Sequence, residues 1–421
     1  MKRCLVMITS SFPYSTGETY IESEVAFYKN RFDKVIILPI ELDPDAPLTR
    51  GIPESFDAIN VSKRKQRTAR TNDVFGGVKN IIKPTDYYAY DRDAIGNSFK
   101  KRMFFEYFCN RSTRSFSECI EALDGFDFRI YDSITVYSYW FFATAMVGVM
   151  LKKYFSDFCD DVRLISRAHG YDVYENRNAL NYLPLRRYLL ENCDAVYPCS
   201  EAGTTHIVSQ FPEFAYKIKT AHLATADGGM SKQSEIGFHL VSCSLAVDVK
   251  RLDRIVDILE QIEKAGEYRL KWTHIGDGNR KKEIENYARK KLRSVKFEFV
   301  GNISNPDVFK YYRNNPVDLF ISTSESEGLP VSMMEAASFG IPIISTDVGG
   351  VREIVRDGYN GWLMNEFAEP EEFARIIRQF YGMDKDKREI YRKNSREIWE
   401  DSFDAEKTYT DFFAVPVVTH A

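Results

Sequence analysis

The sequence predicts an α/β protein of two Rossmann-like, doubly wound domains. Three observations lead there. Short apolar runs of strand length alternate with helix-period segments in both halves of the chain. At 421 residues and 44% hydrophobic content, the chain is long enough for two domains of ordinary size and supplies a core for each. One stretch, residues 322–350 (STSESEGLPVSMMEAASFGIPIISTDVGG), reads as most of a strand, loop, helix, strand unit.

That stretch organises the rest. The apolar runs 317–321 and 341–345 are bounded by turn residues and read as buried parallel strands. Between them, 331–339 is rich in Met, Ala and Glu, with Pro330 at its head, which is the composition and start of a helix. In such a unit the ligand crevice lies outside the carboxyl ends of the strands, where Glu327, Gly328 and the helix start fall. Free backbone N–H groups and the positive end of the helix dipole face an anion there.

Two carboxylates follow, Glu327 in the loop and Glu335 about two helical turns on. A loop glutamate can reach a sugar, and one on the helix can accept hydrogen bonds from a ribose diol. The pair alone is better explained as solvated surface charge. In its setting, Glu327-Gly-Leu-Pro-Val-Ser-Met-Met-Glu335 resembles the glutamate, seven residues, glutamate motif of retaining glycosyltransferases, and its surroundings are similar to glycosyltransferase family four. The resemblance implies the GT-B fold, two Rossmann-like domains facing a central cleft with the C-terminal helix crossing back to the first. It also implies a metal-independent enzyme without a cofactor. Such an enzyme moves a hexosyl or N-acetylhexosaminyl group, with retention, from a nucleotide sugar, expected to be a UDP-sugar. The implied acceptor is a saccharide or a polyprenyl-linked saccharide of surface polysaccharide or glycoconjugate synthesis. Glu327 is then catalytic, and Gly328, Leu329, Pro330, Val331 and Glu335 hold the donor.

In the first half, 4–8 reads as the first strand and 35–39 as the second, with a helix over 20–28 between them. Gly17 lies in the intervening loop and matches the family's N-terminal loop glycine near the donor diphosphate. Regular patterning fades over 41–105, too long for a simple connection. This insertion carries Lys63-Arg64-Lys65-Gln66-Arg67 with Arg70, and later Phe99-Lys100-Lys101-Arg102-Met103-Phe104-Phe105. Basic residues beside aromatics suit an anionic bilayer surface as well as they suit a solvated loop. Residues 134–151 approach membrane-span length, but Tyr137, Ser138, Tyr139 and Trp140 divide them into a strand and a helix over 141–154. The strand 163–166 delivers Arg167-Ala168-His169-Gly170-Tyr171-Asp172, which resembles the family's HGxD loop and implies that His169 faces the donor sugar. A strand at 195–200, a helix at 201–210 and a strand at 218–223 close this half.

The second half restarts with strand 237–243, helix 252–264, strand 270–275, helix 281–291 and strand 295–300. Gly301 and Asn302 end that last strand, where the family binds the nucleotide base. Lys250 matches the family's phosphate-binding lysine. The arginine usual five residues earlier is Leu245 here, so Arg251 is the candidate to share the diphosphate with Lys250 and helix-end amides. Helices at 369–381 and 386–403 precede an aromatic tail. The expected domains are 1–228 on the acceptor side, 229–398 for the nucleotide sugar, and 399–421 packing back on the first.

A net charge of −4 and a pI near 6.0 argue against a nucleic-acid protein. Seven cysteines without a CxxC pair give neither a zinc site nor a disulfide framework. The DxD spacings Asp43-Pro-Asp45 and Asp91-Arg-Asp93 sit at no strand end and are set aside as metal ligands. Met1-Lys2-Arg3 and the short apolar run after it read as a strand and not a signal peptide. The expectation is a cytoplasmic protein in peripheral contact with the inner face of an anionic membrane. Two rival readings on the same fold are a nucleotide-sugar epimerase and a non-catalytic partner subunit.

Overall fold

The computed structural model describes residues 1–15, 17–82, 85–266 and 268–414; the side chains of residues 75, 77–82 and 413–414 are outside the description. The chain divides into two units, Met1–Ala221 joined by Tyr409–Ala421, and His222–Thr408. The expected cuts at 228 and 398 shift for local reasons. The His222 ring packs on Phe403 and bonds Glu353 at 2.8 Å, while the Thr225 N–H donates to the Phe403 carbonyl, so 222–228 belongs with the second unit. The Trp399 indole N–H donates to Thr225 Oγ1, holding 399 there too.

The first unit runs β1 (Arg3–Thr9), α1 (Glu22–Val25), β2 (Lys34–Pro39), β3 (Phe56–Ala58), α2 (Gln66–Ile82), α3 (Tyr88–Ile95), α4 (Phe99–Ala122), β4 (Ser133–Ser138), α5 (Ala143–Phe155), β5 (Val162–Ala168), α6 (Arg186–Asn192), β6 (Ala195–Pro198) and α7 (Glu201–Gln210). Its sheet is wholly parallel in the order β3-β2-β1-β4-β5-β6. Six of the seven β1 residues are buried, as a strand covered on both faces requires.

Three expectations fail here. The segment 20–28 is only α1 between two 3-10 turns. The segment 218–223 is not a strand, since Ile218 makes a single bridge to Val196. The insertion is not loop but the three helices α2, α3 and α4. Its second basic cluster is divided: Phe99 and Lys100 are exposed, while Phe105 is buried, Phe104 packs on Phe142, and Arg102 stacks 3.5 Å from the Tyr88 ring centroid while pairing with Glu106 at 2.6 Å.

The second unit runs β7 (Phe238–Cys243), α8 (Leu252–Ala265), β8 (Leu270–Ile275), α9 (Lys281–Lys291), β9 (Lys296–Gly301), α10 (Asn305–Asn314), β10 (Leu319–Ser322), α11 (Val331–Ser338), β11 (Ile343–Thr346), α12 (Val351–Ile354), β12 (Gly361–Met364), α13 (Pro370–Tyr381) and α14 (Lys385–Ser402). Its sheet, also parallel, has the order β12-β11-β10-β7-β8-β9, the same doubly wound topology as the first. Leu252, Ile255, Val256, Leu259 and Ile262 make one face of α8 and bury it in the core beside Phe373 and Ile377 of α13. Truncating Ile255 there to alanine costs about 2–5 kcal/mol. The last helix, α15 (Ala405–Ala414), starts in this unit, where Ala405 N–H donates to Thr225 O. From Tyr409 it counts with the first. The remaining tail, 415–421, lies outside the described residues.

Candidate active site

In both sheets the strand order reverses between two neighbouring strands, β1/β4 and β7/β10, and the carboxyl ends of such a pair are where an open α/β sheet binds ligands. The predicted residues of the second unit gather there unevenly. After β7 the chain turns through a 3-10 segment at Asp248–Lys250 into Arg251, a non-glycine residue held left-handed at φ 48°. Thr323, just past β10, fixes that turn by donating its hydroxyl to the Arg251 carbonyl at 2.8 Å and to that of Lys250 at 3.3 Å. Glu325 N–H donates to the Val249 carbonyl at 2.9 Å. This clamp brings Lys250 Nζ to 2.7 Å from Glu327 Oε1 and 2.8 Å from Oε2.

The loop bearing Glu327 is tied down from beyond β11. Gly350 N–H donates to the Gly328 carbonyl, and Gly349 lies so close that a Cβ would stand 1.9 Å from the Glu327 carbonyl oxygen. At φ 56° only glycine serves at 349 without strain. Leu329 is buried, Pro330 opens α11, and Val331 starts it one residue ahead of the first helical hydrogen bond, from Met333 N–H to the Pro330 carbonyl. Glu335 is not brought to Lys250. It is buried in α11, where Asn305 at the start of α10 donates its amide N–H to the carboxylate. Burial pushes the Glu335 carboxyl up to about 7, against the Asn305 hydrogen bond that favours the charged form.

Gly301, at φ 85°, accepts the Gly276 N–H and lies beside Lys281 Nζ, and Asn302 is exposed after it. Leu245, where the family's arginine would stand, is 62% exposed. Arg251 does not turn toward Lys250; it pairs with Glu325 at 2.9 Å.

In the first unit, Asp172 forms the HGxD loop by accepting the backbone N–H groups of His169 and Phe141, each at 2.8 Å. The His169 ring is buried against Trp140 (centroids 4.4 Å apart), Tyr139 (5.2 Å) and Tyr20 (5.5 Å). Neither ring nitrogen has a hydrogen-bond partner among the described residues. Gly17 is exposed, and its carbonyl accepts from Arg50.

The residue sequence reasoning missed is its neighbour. Glu18, at φ 58°, turns its carboxylate into the loop after β1 and accepts the N–H groups of Ser10 (3.0 Å), Ser11 (2.6 Å) and Phe12 (2.7 Å) together with the Trp140 indole N–H (2.6 Å). The amides that such a loop offers to a ligand anion are thus filled from within the chain. An acidic residue directly after a loop glycine was the only signal in the sequence.

The first aspartate of each DxD spacing has structural partners. Asp43 accepts the Gln66 N–H at the head of α2, and buried Asp91 accepts from the Tyr182 hydroxyl and the Leu185 N–H. Among the described residues no group of three His, Cys, Asp or Glu side chains is arranged to hold a metal ion. Cavities of about 740 Å³ beside α5 and α6, and about 670 Å³ at the starts of β7, β8 and β9, lie away from the carboxyl-end residues.

Residues 238–398, nearly all of the second unit, match the model of the family described as Glycosyl transferases group 1. The chain is 26% identical over 267 residues to the glycosyltransferase MJ1178 of Methanocaldococcus jannaschii, covering 62% of this chain and 69% of that one. The second unit carries a group 1 glycosyltransferase domain. The chain is also 25% identical over 243 residues to the putative colanic acid biosynthesis glycosyltransferase WcaL of Salmonella typhimurium, covering 54% of this chain and 58% of WcaL. Anabaena HepE, solved in complex with UDP, superposes on this chain with a TM-score of 0.63 and 15% identity over 98% of each chain. That likeness speaks for the fold, and the fold is GT-B.

Proposed function

We propose that the chain transfers a hexosyl or N-acetylhexosaminyl group, with retention and without a metal ion, from a UDP-sugar to a saccharide or lipid-linked saccharide acceptor. The observation that carries this reading is the Lys250–Glu327 pair, held by a built turn beside the start of α11 at the carboxyl ends of β7 and β10. A cation next to a carboxylate there supplies both needs of nucleotide-sugar chemistry: charge for the leaving diphosphate and an acceptor for sugar hydroxyls. Glu335 takes the ribose, Gly301 and Asn302 the base, and the N–H groups of Gly328, Leu329 and Val331 the phosphates. His169 serves the donor sugar. The acceptor hydroxyl attacks the anomeric carbon from the side the nucleoside diphosphate leaves, and the leaving phosphate takes its proton. Support for UDP comes from HepE, solved with UDP, with UDP and glucose and with UDP-glucose, and for a polysaccharide acceptor from WcaL.

The test is a screen of nucleotide sugars for release of nucleoside diphosphate, with and without saccharide and polyprenyl-linked acceptors, in buffer and in excess EDTA. Acceptor-stimulated release that survives EDTA, with the anomeric configuration kept in the product, is expected. Inversion, or strict need for manganese or magnesium, would overturn the corresponding part.

A further inference from the structure

The carboxyl-end crevice of the first unit carries a group of aromatic rings that donor chemistry does not use. Trp140 follows β4 and Tyr171 follows β5, and their ring centroids are 5.0 Å apart at 33°. Trp140 is half-buried, with one side against His169. Tyr171 is 43% exposed, backed by Trp140 and by the edge of Phe142 at 5.9 Å. An aromatic face left accessible at a ligand-binding strand end is free to stack on a ligand.

The floor is rigid. Its indole N–H is held at 2.6 Å by Glu18, whose carboxylate is itself fixed by three loop amides, and Asp172 pins the backbone on either side. Polar groups flank it. Arg111 on α4 pairs with Glu41 after β2, and Glu41 lies 3.4 Å from the Oγ of Ser10, whose N–H bonds the same Glu18 carboxylate that holds the Trp140 indole. An aromatic face with a guanidinium and a carboxylate beside it is complementary to one kind of small ligand. A pyranose ring presents a patch of polarised C–H groups on its face and hydroxyls around its edge. The negative ring quadrupole attracts the first, and the charged pair bonds the second.

We propose that Tyr171 and Trp140 form a stacking subsite for a pyranose ring of the acceptor, its hydroxyls served by Glu41 and Arg111. The identity of the ligand as an acceptor sugar rests on the glycosyltransfer reading; the stacking geometry does not. Glu18 is the positioning residue of this floor, acting through the Trp140 indole.

Saturation-transfer NMR on the full chain tests it, with the methyl glycosides of glucose, galactose, mannose and N-acetylglucosamine as probes and xylitol as a polyol without a ring face. At least one glycoside should receive saturation at its ring C–H protons, and xylitol none. Tyr171→Ala should weaken that glycoside about tenfold, whereas Tyr171→Phe, which keeps the ring, should bind within about twofold of the unaltered chain. Trp140→Phe keeps a ring but frees the Glu18 carboxylate, and should weaken binding without matching Tyr171→Ala. Unchanged melting temperatures establish that the variants fold. Saturation of no glycoside, or binding indifferent to Tyr171→Ala, overturns the subsite. Consumption of a UDP-sugar by the unaltered chain, measured in parallel, separates the two readings: turnover without Tyr171-dependent binding removes only the subsite, and Tyr171-dependent binding without turnover removes only the transfer reaction.

Discussion

Lys250 Nζ sits 2.7 and 2.8 Å from the two carboxylate oxygens of Glu327, so the cation assigned to the donor diphosphate is already occupied by the carboxylate assigned to the donor sugar. Both side chains are largely withdrawn from water, which makes the pair stronger than a surface ion pair. A diphosphate entering the site has to share or displace that carboxylate. Glu327→Gln keeps the shape and removes the competing charge. UDP should therefore bind more tightly, by about ten- to a hundredfold for a charge-assisted hydrogen bond of about 1.5–3 kcal/mol, while transfer is lost. Calorimetric titration with UDP and a turnover assay read the two effects; weaker UDP binding in the variant would remove Lys250 from the phosphate site.

Glu335 gives a pH dependence whose sign is fixed by its surroundings. Burial raises its carboxyl from an ordinary 4.5 to about 7, so the native state holds this proton more tightly than the unfolded chain does. The associated stability, about 3 kcal/mol, is complete below about pH 4.5 and is lost as pH rises through 7. Ribose hydroxyls donating to the carboxylate favour its charged form. Affinity for UDP-glucose, whose pyrophosphate diester does not titrate in this range, should rise several-fold from about pH 6 to 8. Glu335→Gln should flatten that profile and melt higher than the unaltered chain at the alkaline end. A flat profile in the unaltered chain would detach Glu335 from the ribose.

A stability prediction concerns the strand that carries His169 toward its site. Two residues before it, Arg167 is fully buried and pairs with the equally buried Glu24 at 3.2 Å. Glu24 also accepts the hydroxyls of Tyr137 (2.7 Å), Tyr28 (3.1 Å) and Tyr139 (3.1 Å), and Arg167 donates to Tyr137 and to the Ala221 carbonyl. Breaking such a pair leaves an uncompensated buried charge. Glu24→Ala should cost about 3–5 kcal/mol, read as a lower urea midpoint for the first unit. Glu24→Ala together with Arg167→Met should recover part of it. A single variant as stable as the parent would mean that water replaces the carboxylate.

The sheets were legible because most long strands, β9 apart, are buried on both faces and so read as apolar runs; β8 and α9 fall on their expected residues and most others within two. β3, at three residues, was too short to stand out, and β12 buries only its first and last residues. The helices α2 and α4 were illegible for a different reason: α2 mixes glycines and polar residues, and the buried aromatics of α4 are interleaved with Lys and Arg that pair sideways. At the site, sequence motifs marked Glu327, Glu335, His169 and Lys250 as separate signals. The pairing of Lys250 with Glu327 joins residues 77 apart, which only the crossover connections of the second sheet bring together. Glu18 and Trp140, 122 positions apart, meet for the same reason in the first.

The final prediction concerns the basic stretch ahead of α2. Lys63, Arg64, Lys65, Arg67 and Arg70 are all exposed, and the partners they show are weak: Lys63 reaches Glu121 at 3.6 Å and Arg70 bonds the neutral Gln66. In the second basic cluster Arg102 and Phe105 are spent on the core and only Phe99 and Lys100 stay exposed, so the first cluster carries the denser exposed charge. Among the described residues no helix is long and apolar enough to cross a bilayer, and contact with one would be electrostatic. Each basic residue near an anionic surface contributes about 1 kcal/mol, screened within a Debye length. Changing all five to glutamine should abolish co-sedimentation with phosphatidylglycerol vesicles at low salt and leave the melting temperature within a few degrees. The unaltered chain should bind those vesicles less as salt rises, and neutral vesicles hardly at all. Salt-insensitive binding, or none, would make the acceptor a soluble saccharide and leave the stretch as the solvated head of α2.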